Sequence, residues 1–191
     1  MTKYILHGGF TRRDNELNHA FFEEVVRDVP DNGIILLVYF ASRTEGDVSE
    51  SFKCHVKMLT QQAPGKNLHF FVATKKDFLN QIKQSDVIFF NGGSTKKLLK
   101  VLKTYPDLKP LVERKTVAGS SAGAYALVRF GTSHSEEEVR EGLGLVPIRV
   151  ICHYESDELP PNAAAVSLLK KTATNLELSI LKDFEWKVFR V

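Results

Sequence analysis

The chain has 191 residues, of which 43% are hydrophobic, enough for one globular unit with a substantial core. Its 26 basic and 23 acidic residues nearly balance, which gives composition no reason to favour a polyanion, so no nucleic acid partner is expected. The longest apolar run, Ile34 to Ala41, falls far short of the roughly 20 residues that cross a bilayer, and the opening MTKYILHGGFTRRD holds too short an apolar stretch for a secretory signal. A cytoplasmic protein with no membrane partner, folded as a single domain over 1–191, is the expectation.

Along the chain, short β-rich runs alternate with segments of helical period. KYILHG, GIILLVYFA, NLHFFVA and SDVIFFNGG read as strands, and three of them are apolar almost throughout, as strands covered on both faces are. Between them, ELNHAFFEEVVRDV places Leu17, Phe21, Phe22 and Val25 on one stripe, and SESFKCHVKMLTQQ places Phe52, Val56 and Leu59 on another. In STKKLLKVLKTY the inner face is Leu98, Leu99 and Leu102, while Lys96, Lys100 and Lys103 share a solvated outer face. KTVAG is a short strand and SAGAYALVRF a helix of small residues. Gly131 to Leu145 reads as an irregular polar excursion, after which come the strand IRVICHY, the helix PPNAAAVSLLKKTATN and two closing strands, LELSIL and EWKVFRV. The alternation predicts an α/β three-layer sandwich, a mostly parallel sheet with helices on both faces. Cys54 and Cys152 have no metal-ligand spacing and read as core residues, so neither a metal site nor a disulfide framework is indicated.

The segment VAGSSAGAYAL carries the strongest chemical signal. Gly119, Ser121 and Gly123 satisfy G-x-S-x-G at a predicted strand-to-helix junction, the context in which a nucleophilic serine sits on a sharp turn. The same letters also fit a serine-capped helix, so a base is needed to separate the two readings. His153, at the end of IRVICHY, is the candidate base, with His134 in reserve. In FFNGGST the paired Gly92 and Gly93 precede a helix, and with the amide of Ala122 they could receive an oxyanion. LHGGFTRRD offers another glycine pair, but it lacks both G-x-G-x-x-G and the Walker lysine, so Gly8 and Gly9 read as turn residues.

FFNGGSTKKLL, VAGSSAGAYAL and ICHY, in that order and spacing, resemble the peptidase E family of serine dipeptidases, which is related to cyanophycinase; the resemblance runs from about Ile82 to Tyr154. It implies a class I glutamine amidotransferase-like fold, Ser121 as nucleophile, His153 as general base, and an oxyanion and substrate region at Gly92, Gly93, Ser94 and Ala122. The family's late-strand acid falls on Asp183, with Glu136 as the alternative acid. Three departures stand out. Ser94 replaces the asparagine of the family's Gly-Gly-Asn-Thr, the region after the histidine is shortened, and no arginine lies between Tyr154 and Asp183 to meet an aspartyl side chain. Glu155, Asp157 and Glu158 crowd there instead, as a solvated loop or a grip for a peptide amino terminus. The expected function is a serine peptidase acting on a small peptide, aspartyl peptides among them, through an acyl-enzyme that needs no cofactor. The competing expectation is a catalytically silent ligand-binding homologue of the same fold. A homodimer is a general prior for soluble enzymes.

Overall fold

The computed structural model describes residues 1–105 and 108–191. Its strands are β1 (Lys3–His7), β2 (Ile34–Val38), β3 (His69–Val72), β4 (Val87–Phe90), β5 (Thr116–Ser120), β6 (Val128–Thr132), β7 (Val139–Glu141), β8 (Val146–Ile151), β9 (Leu178–Ile180) and β10 (Trp186–Arg190). The helices are α1 (Glu16–Val26), α2 (Glu45–Gln61), α3 (Phe78–Gln84), α4 (Thr95–Leu102), α5 (Ala122–Leu127) and α6 (Ala163–Lys171). One sheet has the order β10-β1-β5-β4-β2-β3, parallel except for β10, which runs antiparallel to β1.

The period of two along these strands sorts their side chains between two helical layers. Ile5, Ile35, Leu37 and Phe89 pack against Phe21, Phe22 and Val25 of α1 and Leu59 of α2. Leu6, Leu36, Val38 and Phe90 face the other way, onto Phe78 of α3, Leu98 and Leu102 of α4, and α5. Because both faces are covered, the strands can be apolar throughout, and burying each side chain such as Leu37 stabilises the fold by about 1.5–3 kcal/mol. Side-chain caps start the helices where the sequence supplies them: Asn15 for α1, Thr44 with Asp47 for α2, Ser94 for α4 and Asn162 for α6.

Several elements differ from the sequence reading. The stretch from Val128 to Glu141 is neither the end of a helix nor irregular: α5 stops at Leu127, and β6 and β7 form an antiparallel pair in a second sheet of order β7-β6-β8-β9. Val128 is β-branched and Phe130 aromatic, and both pair with β8, so strand contacts outweigh the helical pattern that the small residues upstream suggest. The edge strand β7 is polar because it is half exposed or exposed along its length. Leu17 lies 47% exposed rather than on the buried stripe of α1. β8 ends at Ile151, two residues before His153. The buried Arg149 of β8 ties the end of α6 and the turn after it to this sheet by donating to the carbonyls of Leu169, Lys170, Thr172 and Leu176. Among the described residues no helix is long and apolar enough to cross a membrane.

Two buried histidines hold the loop that follows β1. The His7 Nδ1 accepts from the Gly9 amide at 2.9 Å, which leaves the proton on Nε2, 2.8 Å from the Asn18 Oδ1. Asn18 in turn donates to the carbonyls of Phe10 and Arg13. His55 lies between the Tyr39 hydroxyl at 3.0 Å and the Thr11 hydroxyl at 3.2 Å. Burial pushes both imidazoles from 6.5 down to about 3, so each is neutral in the folded protein. Between those values the unfolded chain binds more protons than the native one, so their contribution is intact above pH 6.5 and is lost as pH falls toward 3. Urea unfolding at pH 7 and pH 5 should differ by up to about 2 kcal/mol for each histidine, with His55→Gln removing that residue's share and leaving that of His7; equal stability at both pH values in the unsubstituted protein would refute neutral burial.

Candidate active site

The carboxyl ends of β1, β4 and β5 open onto one cavity of about 600 Å³, the position at which parallel α/β sheets bind ligands. Ser121 follows β5 directly and precedes α5, with φ 50° and ψ −108°. A non-glycine residue held in such a region costs on the order of 1–3 kcal/mol, so its surroundings must impose it. Here the imposition is visible. The Ser121 amide donates to the His7 carbonyl at 2.9 Å, and a Cβ on Gly119 would stand 2.6 Å from the Gly123 backbone. A Cβ on Gly123 would stand 2.1 Å from the Phe90 carbonyl oxygen. The elbow therefore packs backbone against backbone, and Ser121, not Ser120, presents its hydroxyl to the cavity at the turn.

His153 reaches this hydroxyl from the second sheet. Its Nε2 lies 3.0 Å from the Ser121 Oγ and its Nδ1 lies 2.6 Å from the Asp183 Oδ1. An ionised carboxylate only accepts, so Nδ1 carries the proton, Nε2 presents its lone pair, and the serine donates. Burial lowers the imidazole's pKa below 6.5, against the opposing pull of Asp183, which leaves the ring neutral and able to accept a proton near pH 7. Asp183 lies on the loop between β9 and β10 rather than on a strand.

The glycine pair after β1 belongs to this site and is more than a turn. Gly8 donates to the Glu185 carbonyl at 2.8 Å, and a Cβ there would fall 1.9 Å from the Lys182 carbonyl, so the Asp183 loop closes onto bare backbone. At Gly9, with φ 139°, a Cβ would fall 1.9 Å from the His153 ring. Phe10 sets its ring against the same imidazole at 4.9 Å in a T-shaped contact, and the Arg13 guanidinium lies 4.1 Å above Phe10. A Gly-Gly directly after an apolar strand was the available signal for this second close approach.

The other expected residues divide. Gly92 and Gly93 line the cavity; Gly93 has φ 135°, and a Cβ on it would stand 2.4 Å from the Ala41 carbonyl. The amides of Gly93 and Ala122 have no hydrogen-bond partner among the described residues. Ser94 does not line the cavity: its hydroxyl accepts from the Lys97 amide and caps α4. Glu136 pairs with Arg140 at 2.8 Å and Lys96 at 3.9 Å and is replaced at the imidazole by Asp183. The Arg140 hydrogen bond holds its carboxyl below the usual range. His134 packs beside His153, ring centroids 5.3 Å apart, and the serine hydroxyl is bonded to His153 instead. Glu155 and Glu158 are engaged by Lys182 and Arg13. Cys152 is buried, whereas Cys54 is half-buried and lines the cavity.

Sequence reasoning missed the cations of the cavity, which come from the N-terminal half. Arg12, Arg13 and Arg43 line it together with Asp47 and Glu50. Arg12 lies 3.4 Å from Glu50 and Arg13 makes a two-pronged pair with Glu158 at 2.6 Å. Arg43 has no ion-pair or hydrogen-bond partner among the described residues. Among those residues no group of histidine, cysteine and acidic side chains is arranged to hold a metal.

An α/β sandwich with a serine on a strained strand-to-helix turn, in line with an imidazole and a carboxylate, defines a protein of the nucleophile-elbow class. The sequence profile of peptidase family S51 matches residues 5–188, and the chain belongs to that family. Among solved structures, it is similar to a peptidase from an acI-B1 Actinobacterium, at a TM-score of 0.77 and 20% identity over 100% of this chain and 84% of that one. It is also similar to a candidate peptidase E protein from Listeria monocytogenes EGD-e, at a TM-score of 0.61 and 16% identity over 100% and 99% of the two chains. No curated protein matches.

The close approach at Gly9 sets a structural expectation. In Gly9→Ala the added methyl should drive the His153 ring away, so that a crystal structure finds Nε2 beyond hydrogen-bond range of the Ser121 Oγ; an unchanged 3.0 Å separation would show that the loop yields instead.

Proposed function

We propose that this member of the peptidase family is a serine peptidase that cleaves short peptides through an acyl-enzyme on Ser121. The observation that carries the reading is the continuous line from the Ser121 Oγ through His153 to Asp183, at 3.0 Å and 2.6 Å. The Ser121 oxygen attacks the scissile carbonyl carbon while its proton passes to the His153 Nε2. The negative oxygen that forms is received by the amides of Gly93 and Ala122, donors with no competing partner among the described residues. As the C–N bond breaks, Nε2 returns the proton to the departing amine. Water then adds to the acyl carbon, giving its proton to Nε2, and the serine leaves with that proton restored. Asp183 keeps Nδ1 protonated and stabilises the imidazolium between these steps. No step in this scheme calls on a metal or an organic cofactor.

The cavity's charges support a substrate with its own charges close together. Among the described residues Arg43 is the cavity cation without a partner, and it suits a carboxylate of the peptide, an aspartyl side chain among the choices. Asp47, which also caps α2, and Glu50, which pairs with Arg12, lie on the same walls and suit a free amino terminus as a further partner. This arrangement supplies from the segment between β2 and α2 the arginine that is absent between Tyr154 and Asp183.

In Ser121→Ala, labelling by a fluorophosphonate probe should disappear, followed by intact-protein mass spectrometry; label retained in that variant would reject Ser121 as the nucleophile. An unsubstituted protein that neither takes the probe nor turns over any peptide in a dipeptide panel would favour the silent ligand-binding reading. Arg43→Ala should raise KM for acidic dipeptides about tenfold with kcat held, a loss of about 1.4 kcal/mol of binding, and leave uncharged ones alone. The same KM for both peptide classes in the variant and the unsubstituted protein would remove Arg43 from substrate recognition.

A further inference from the structure

The second sheet runs out just short of His153. β8 last pairs at Ile151 with Ile180 of β9, and the Leu181 amide donates to the Ile151 carbonyl. The next peptide unit, at Cys152, is fully buried, and its amide has no strand beside it. A buried amide without an acceptor costs about 1–3 kcal/mol, so a partner has to come from elsewhere.

That partner is Tyr125, a 1% exposed residue in the middle of α5. Its hydroxyl accepts from the Cys152 amide at 2.9 Å and lies 3.3 Å from the Cys152 carbonyl and 2.7 Å from the Thr132 hydroxyl. A phenol has one proton and two acceptor sites. All three contacts are met when it accepts from Cys152 and Thr132 and donates to the Cys152 carbonyl. The residue's own amide donates to the Ser121 carbonyl at 2.9 Å. One residue thus bonds the backbone of Ser121 at one end and the peptide before His153 at the other. Its ring has no freedom to swing, since a Cβ on Gly131 would stand 2.3 Å from it. The mechanism above assigns this side chain no task, and nothing polar about it faces the cavity.

We propose that Tyr125 is a positioning residue which, through the Cys152 backbone, sets the distance between the His153 Nε2 and the Ser121 Oγ. The proposal rests on Ser121 and His153 acting as nucleophile and base. His153 stands at φ 53° between two pinned peptides, the Cys152 unit held by Tyr125 before it and the Tyr154 amide, which donates to the Leu181 carbonyl at 3.1 Å, after it, so the Tyr125 bond fixes one of the two ends that set the ring. Releasing that peptide lets the imidazole drift, and a displacement near 1 Å between reacting groups costs about 100-fold in rate.

The test is the kinetics of fluorophosphonate acylation at Ser121 in Tyr125→Phe, which keeps the ring and removes only the hydroxyl. Acylation with kinact about 10- to 100-fold lower and KI unchanged, counted per site that finally labels, supports positioning. A merely structural role would lower the number of sites or the melting temperature while each surviving site kept its kinact, and that result overturns the proposal. If Tyr125→Phe does not fold, Thr132→Val removes the hydroxyl that orients the phenol and Thr132→Ser retains it; a several-fold lower kinact in the first, restored in the second, supports the proposal, and equal kinact in both overturns it. An unsubstituted protein that never acylates is a separate outcome: it rejects the assignment of Ser121 as nucleophile, and with it any positioning of that nucleophile.

Discussion

The left-handed bend at Ser121 is the constraint on which the site depends. A chain that turns this sharply from strand into helix brings β5 and α5 so close that side chains at 119 and 123 would collide with backbone, and only hydrogen fits at either place. The conformation is then over-determined: the His7 carbonyl holds the Ser121 amide from the next strand, and the apolar floor under α5 leaves the helix nowhere to retreat. A serine in relaxed extended backbone would point its hydroxyl into one of the two helical layers. In this conformation it faces the cavity at the carboxyl end of the sheet, with the first amides of a helix beside it.

The remaining members of the line arrive from the second sheet, and bare backbone receives them. Gly8 and Gly9 play for the His153 and Asp183 segments the part that Gly119 and Gly123 play for Ser121: each removes a Cβ where another chain must pass. Placing an imidazole and a carboxylate against a serine therefore needs two sets of glycines, at the carboxyl ends of neighbouring strands of one sheet. The buried histidines beneath, His7 through Asn18 and His55 through Thr11, fix the β1 loop that carries one of those sets and the Phe10 ring that rests on His153.

Much of this could be read before any coordinates. The strands of the first sheet announce themselves because both their faces are apolar, and the elbow because its glycines fall at a strand-to-helix junction. Of the second sheet, β8 and β9 read as strands but β6 and β7 were concealed: β7 is three residues long, and the helix-favouring small residues of α5 run into β6 without a breaker. Ser94 shows the limit of carrying a role across by position, since its hydroxyl is spent on capping α4 and does not line the cavity. The arginines were out of reach for a different reason. Arg12, Arg13 and Arg43 lie on two loops more than a hundred residues from His153 in sequence, and only the parallel stacking of β1 and β2 with β4 and β5 between them brings those loops to one rim.

Asp183 occupies the short passage in which the chain leaves β9, in one sheet, to enter β10, in the other. The carboxylate is thus mounted on the hinge line between two separately hydrogen-bonded slabs, while the hydroxyl belongs to the first slab and the imidazole to the second. A slip of one slab over the other would alter the Ser121–His153 and His153–Asp183 separations while leaving both ladders paired. Packing substitutions deep under the sheets, far from the cavity, would then be felt at these three side chains in a molecule whose secondary structure is still native.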